Sequence, residues 1–96
     1  MINSKQRAQL KKISHSYKPI VNIGKGGVSE NTIRQIDEAL TSRELIKIKV
    51  LNNNLDDRDF IIDSILEGTG ADFVKYMGSI LTIYRPSENK VIDLED

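Results

Sequence analysis

The amino-acid sequence predicts a two-layer α/β domain, with helices packed on one mixed four-stranded sheet, and three features of its patterning carry that prediction. Residues 44–51 alternate strictly, placing Ile46, Ile48 and Val50 on one face of a strand and Leu45, Lys47, Lys49 and Leu51 on the other. Ser29 opens a helix whose Ile33, Ile36, Ala39 and Leu40 recur at helical spacing and define one apolar face. Two strand-like runs, 71–77 and 79–85, flank Gly78 as a hairpin. A chain of 96 residues, 39% hydrophobic, builds one core, so residues 1–86 form a single domain and 87–96 a polar, frayed tail.

The remaining elements follow in order. Ser4 caps a first helix that ends near Ser14, with a thin apolar stripe through Leu10 and Ile13. Pro19 forces Lys18 into extended backbone, and residues 20–23 form a short buried strand that stops at Gly24. The Ser29 helix has Glu30 in its positive first turn, Val28 positioned to staple onto Ile33, and an end near Thr41. After the alternating strand, Asn52, Asn53 and Asn54 form a loop. Asp56 or Asp57 then caps a third helix with Phe60, Ile61, Ile65 and Leu66 inward, and residues 68–70 stop it. Pro86 ends the last pairing. The resulting order is αβαβαββ.

Composition removes several function classes. With no cysteine there is neither a disulfide framework nor a thiolate metal site, and no apolar run approaches a membrane span or a signal-peptide core. A cytoplasmic protein without cofactor is expected. The zero net charge conceals a partition: residues 1–29 carry six cations (Lys5, Arg7, Lys11, Lys12, Lys18, Lys25) and no acid, and the rest holds eight cations against fourteen acids. Such a dipolar chain can meet a polyanion with one side; a solvated basic helix is the plainer account.

The segment Gly24-Lys25-Gly26-Gly27 lies between a buried strand and a capped helix. Missing side chains let the main chain approach a phosphate, the first N–H groups of the helix lack intrahelical partners, and Lys25 adds charge at the tip. A strand-to-helix turn also uses glycine for positive φ alone, and the loop by itself is compatible with either role. It matches neither the dinucleotide fingerprint nor the P-loop, which needs Gly-Lys-Ser/Thr at the helix start.

Several segments together, Lys18-Pro19, residues 23–28, residues 43–48, residues 69–71, Met77-Gly78 and residues 84–86, resemble the CRM-domain family, specifically its bacterial single-domain YhbY-like members. The likeness covers nearly the whole chain. It implies a fold similar to the C-terminal domain of translation initiation factor three, and RNA binding in precursors of the large ribosomal subunit, the role of a ribosome assembly factor. It further implies that Gly24, Lys25, Gly26 and Gly27 face phosphate, in the manner of the backbone-clamping GxxG of KH domains. Lys47 and Arg85 fall on the family's Glu-Leu-Ile-Lys and Tyr-Arg segments and join the expected basic surface; a solvated strand face is the alternative for each. The chain departs from the family pattern at Arg43, where relatives show histidine, and at Ser79, where a basic residue is common. With the acidic residues 93–96, the second departure puts the expected RNA face on the first half of the chain.

The expected RNA-binding set is therefore Gly24, Lys25, Gly26, Gly27, Lys18, Lys11, Lys12, Arg7, Lys5, Lys47 and Arg85. No catalytic set can be nominated: His15, the only histidine, has no evident nucleophile, carboxylate or metal beside it, so the chain reads as a binding domain and not an enzyme. Asp56, Asp57, Asp59 and Asp63 lack the glycine and terminal glutamate of a calcium loop. Aromatics make up 5% of the chain, which favours recognition of RNA shape and backbone, although Tyr17, Tyr76 and Tyr84 are possible stacking partners. The rival reading is a protein-interaction module that docks a basic ribosomal protein on the acidic second half.

Overall fold

The computed structural model describes residues 2–51 and 57–95. Its elements are α1 (Ser4–Ile13), β1 (Val21–Ile23), α2 (Glu30–Arg43), β2 (Leu45–Val50), α3 (Arg58–Thr69), β3 (Asp72–Met77) and β4 (Ile80–Tyr84). A short 3₁₀ turn at Ser14–Ser16 follows α1. The αβαβαββ order and the mixed sheet expected from the sequence are both present. Strand order is β1-β2-β4-β3. β1 runs parallel to β2, which requires a crossover, supplied by α2; the other two pairings are antiparallel.

The alternation of β2 decides which face is covered. Ile46, Ile48 and Val50 point to the face on which α2 and α3 lie, where they meet Val21, Ile23, Ile36, Leu40, Ile61, Ile65, Leu81 and Ile83 in the main core. Helices α2 and α3 approach closely at Gly68: a Cβ there would fall 2.8 Å from Ile33 Cδ1. The opposite face is covered at one end only. There α1 and residues 92–94 enclose a smaller core of Ile2, Leu10, Leu45, Val74, Tyr84 and Ile92.

Several local expectations are corrected. Asn3, not Ser4, caps α1, in a capping box with Gln6 that satisfies two end N–H groups at 2.8 and 3.1 Å. Gly68 and Thr69 continue α3, which ends at the left-handed Gly70. Phe60, expected inward, is 59% exposed, because it sits in the first turn of α3 and the inward positions begin at Ile61. Asp57 occupies the cap position of α3 without a side-chain bond. The Asn52-Asn53-Asn54 loop and Asp56 lie outside the described residues.

The largest correction concerns the tail. Residues 87–95 are docked rather than frayed, because Glu44 is fully buried and its carboxylate must find donors. Glu44 closes α2 with φ +67°, in the left-handed region, instead of starting the strand. One carboxylate oxygen accepts the Ser87 N–H at 2.6 Å and its hydroxyl at 3.1 Å; the other accepts the N–H groups of Val91 and Ile92 at 2.8 and 2.7 Å. Farther along, Gln9 accepts from Glu95 N–H at 3.0 Å and donates to the Asp93 carbonyl at 3.2 Å. Apolar burial of Ile92 completes the attachment.

Candidate nucleic-acid interface

The glycine loop leaves the sheet where β1 ends. Leu51 N–H donates to Ile23 O at 2.9 Å, and Gly27 N–H closes a four-residue turn onto Gly24 O at 3.0 Å. Gly27 has φ +70° and is buried, so this glycine serves the turn itself. Gly26 differs: it is exposed, and a Cβ there would meet nothing within 4 Å. Ser29 then caps α2 by accepting from Thr32 N–H at 3.2 Å. Among the described residues, the N–H groups of Lys25, Gly26, Val28 and Ser29 have no protein acceptor. Main-chain donors without protein acceptors thus stand on both sides of Gly27, next to the exposed Lys25.

The uncovered part of the sheet adjoins this loop. Asn22, two residues before Gly24, lies opposite Lys49, and Lys49 and Lys47 share the face that points away from the main core. β4 and β3 continue the face through Ile80, Thr82, Met77 and Lys75, with Thr82 opposite both Lys47 and Lys75. Two clefts open along it. The smaller, about 190 Å³, brings Lys11 and His15 from the end of α1 to Lys47 and Lys75. The larger, about 440 Å³, lies between residues 17–20 and the end of α2, and is bordered by Lys18, Arg43 and Lys47. Lys47 borders both, and no acidic side chain lines either.

Among the described residues, Lys11, Lys18, Lys25, Arg43, Lys47, Lys49 and Lys75 have no carboxylate within ion-pairing distance. The exposed acids Asp59, Asp63 and Glu67 belong to α3, which covers the other side of the sheet. The acids of α3 and the unpaired cations of the open face thus lie on opposite sides of the sheet.

The family profile of the CRS1 / YhbY (CRM) domain matches residues 2–85. The chain belongs to the CRM-domain family. This CRM domain is 40% identical over 95 residues to the "Probable RNA-binding protein YqeI" of Bacillus subtilis, covering 98% of this chain and 99% of the relative. It is 38% identical over 93 residues to an "RNA-binding protein" of Haemophilus influenzae, covering 97% and 94% of the two chains. Its fold matches the solution structure of the hypothetical protein SAV1595 from Staphylococcus aureus with a TM-score of 0.82 and 46% identity, over 99% of this chain and all of that one.

Within the CRM domain, the residues expected to bind RNA separate into three groups. Gly24, Lys25, Gly26 and Gly27 form the loop, and Lys11, Lys18 and Lys47 converge on the adjoining open face. Lys12 is exposed on α1 next to Lys11. Lys5, Arg7 and Arg85 have partners within the protein. Lys5 pairs with Glu95 at 3.5 Å, and Arg7 donates to the Phe73 carbonyl at 3.1 Å.

Arg85 has the most intramolecular partners of the expected set. Its guanidinium donates to Asp37 Oδ1 and to the carbonyl of Thr69 through one nitrogen, and to the Asp37 carbonyl and Thr41 Oγ1 through the other, at 2.5, 2.7, 3.0 and 2.9 Å. Asp37 and Thr41 belong to α2 and Thr69 ends α3, so Arg85 braces the helix layer. A planar fork of donors suits phosphate and carbonyl oxygens equally, and nothing in the sequence distinguishes the two uses.

Three cations outside the expected set, Arg43, Lys49 and Lys75, border the clefts or lie on the open face. Strand alternation already put Lys49 on the face of Lys47, whereas Lys75 joins it only through the β3–β4 pairing, which brings the second half of the chain into the basic face. Among the described residues there is no cluster of three metal-ligating side chains, and no helix is long and apolar enough to cross a membrane.

Proposed function

We propose that this CRM domain is a non-catalytic RNA-binding protein that seats backbone phosphates on the Gly24–Gly27 loop and on the open basic face of its sheet. The observation that carries the reading is Lys47 shared between two clefts lined by cations and by no acid, on a sheet whose β1 leads into a loop of main-chain N–H groups without protein acceptors. Phosphate contacts of this kind supply affinity and position rather than sequence information. The names of the Bacillus and Haemophilus relatives support the same class of ligand. The resemblance to YhbY-like proteins supports a cytoplasmic ribosome assembly factor acting on ribosomal RNA in large-subunit precursors.

A salt titration of RNA affinity tests the mechanism. If about five phosphates are neutralised, log affinity falls against log salt with a slope of about −3.5 on the single-strand coefficient, and removing Lys25 flattens it by about 0.7. A flat titration overturns the reading. Crosslinking the protein in cell extract and sequencing the recovered RNA tests the target: enrichment of large-subunit ribosomal RNA is expected, and its absence removes the assembly role.

A further inference from the structure

We infer that the larger cleft takes a single unstacked nucleotide from a looped or single-stranded RNA segment, its base against Tyr17 and its phosphates among Lys18, Arg43 and Lys47. The inference rests on the RNA-binding reading above and names the form of RNA it recognises. The cleft's volume of about 440 Å³ falls in the roughly 300–1,000 Å³ range of small-molecule sites. Its walls are of two kinds. Tyr17, Ile20 and Val91 are 37%, 43% and 57% exposed and offer apolar surface, while three unpaired cations stand around them.

A paired duplex presents phosphates and sugars on a convex surface and keeps its bases stacked inside, so it can satisfy the cations but not the apolar walls. A splayed nucleotide can satisfy both, because its base has an apolar π-face and its phosphates are anionic. Tyr17 is the one exposed tyrosine among the three: Tyr84 is buried, and Tyr76 is half-buried, with the Arg58 guanidinium 5.2 Å from its ring centroid.

The walls are also held in place. Ile20 N–H donates to Lys47 O at 3.0 Å, Tyr17 N–H to Ser14 O at 2.9 Å, and Val91 N–H to the Glu44 carboxylate at 2.8 Å. A preformed cleft spares the ligand the cost of ordering it. The scarcity of aromatics that pointed to shape recognition alone is thus offset by one well-placed ring.

The test compares two RNAs of equal length, a hairpin whose single-stranded loop carries 2-aminopurine and a fully paired duplex. Wild-type protein should favour the hairpin and quench its fluorescence. Tyr17→Ala should lower hairpin affinity about tenfold and abolish the quench, Tyr17→Phe should keep both, and neither should change the thermal melt of an exposed site. Lys25→Ala should weaken both RNAs alike. Equal binding of the two RNAs, with Tyr17→Ala indistinguishable from wild type, overturns the nucleotide cleft and leaves RNA binding standing. Failure to bind either RNA overturns both.

Discussion

Glu44 and Ile92, far apart in sequence, are joined by a 2.7 Å hydrogen bond from the Ile92 N–H to a buried carboxylate oxygen. The same oxygen takes Val91, and its partner oxygen takes Ser87 twice. Removing this acceptor strands the buried Ile92 N–H, at about 1–3 kcal/mol, and frees the part-buried donors of Ser87 and Val91, so Glu44→Ala should destabilise the domain by about 2–3 kcal/mol in urea denaturation. Glu44→Gly relieves the positive φ yet loses the same bonds, and should remain well below wild type. Amide exchange at Val91 and Ile92 should accelerate in both variants; unchanged exchange would remove the clamp.

The same carboxylate sets a pH dependence. Burial pushes the Glu44 carboxyl up, but N–H groups from Ser87, Ile92 and Val91 and the Ser87 hydroxyl outweigh it and hold the carboxyl below its ordinary value. A depressed folded value means that the unfolded chain takes up a proton first as pH falls. Glu44 therefore contributes its full stabilisation above about pH 4.3, the ordinary carboxyl value, and loses it as pH drops through the lower folded value. Melting temperatures followed from pH 7 to pH 3 should decline more steeply for wild type than for Glu44→Gln. Parallel curves would contradict the assignment.

Gly26 and Gly27 separate the two roles of the glycine loop. Gly27→Ala forces a side chain into positive φ and should cost about 1 kcal/mol or more of stability, whatever the loop binds. Gly26→Ala meets open space and should leave the melt unchanged. If the loop seats phosphate, Gly26→Ala nonetheless weakens RNA binding in a gel-shift titration by holding the ligand off the main chain. Wild-type affinity in that variant would reduce the loop to a turn.

Lys75 and Arg85 should respond in opposite ways. Lys75→Ala removes an unpaired cation from the open face, so the salt slope of RNA binding should flatten by about 0.7, with folding intact. Arg85→Ala breaks the brace to Asp37, Thr41 and Thr69 and should cost about 1–2 kcal/mol of stability, while RNA affinity under folding conditions stays near wild type. A large loss of affinity in folded Arg85→Ala would restore Arg85 to the interface.

Charge reversal at Asp57, Asp59 and Asp63 tests the rival protein-docking reading. Asp59 and Asp63 belong to α3, on the other side of the sheet from Lys47, and Asp57 caps it, so RNA affinity should be unaffected apart from a modest long-range gain at low salt. Binding of a basic ribosomal protein, lost on reversal while RNA binding is absent throughout, would favour the rival.

Local patterning made much of this molecule legible before its tertiary structure. The alternation of residues 45–50 assigned each side chain of β2 to its correct face, the Ser29 cap located the start of α2, and the glycine loop was legible between that cap and the strand before it, because strand period and end N–H groups act over a few residues. The membership of the basic face was not legible in the same way. Lys75 reaches the face of Lys47 only through strand pairing, and Arg85 meets Asp37, Thr41 and Thr69 only because two helices bring them to it. The docked residues 87–95 follow from a buried carboxylate whose need for donors exists only once the chain has folded around it. Propensity and period are properties of neighbours in sequence. The pairing of donors, acceptors and charges is a property of neighbours in space, and only the tertiary structure decided it.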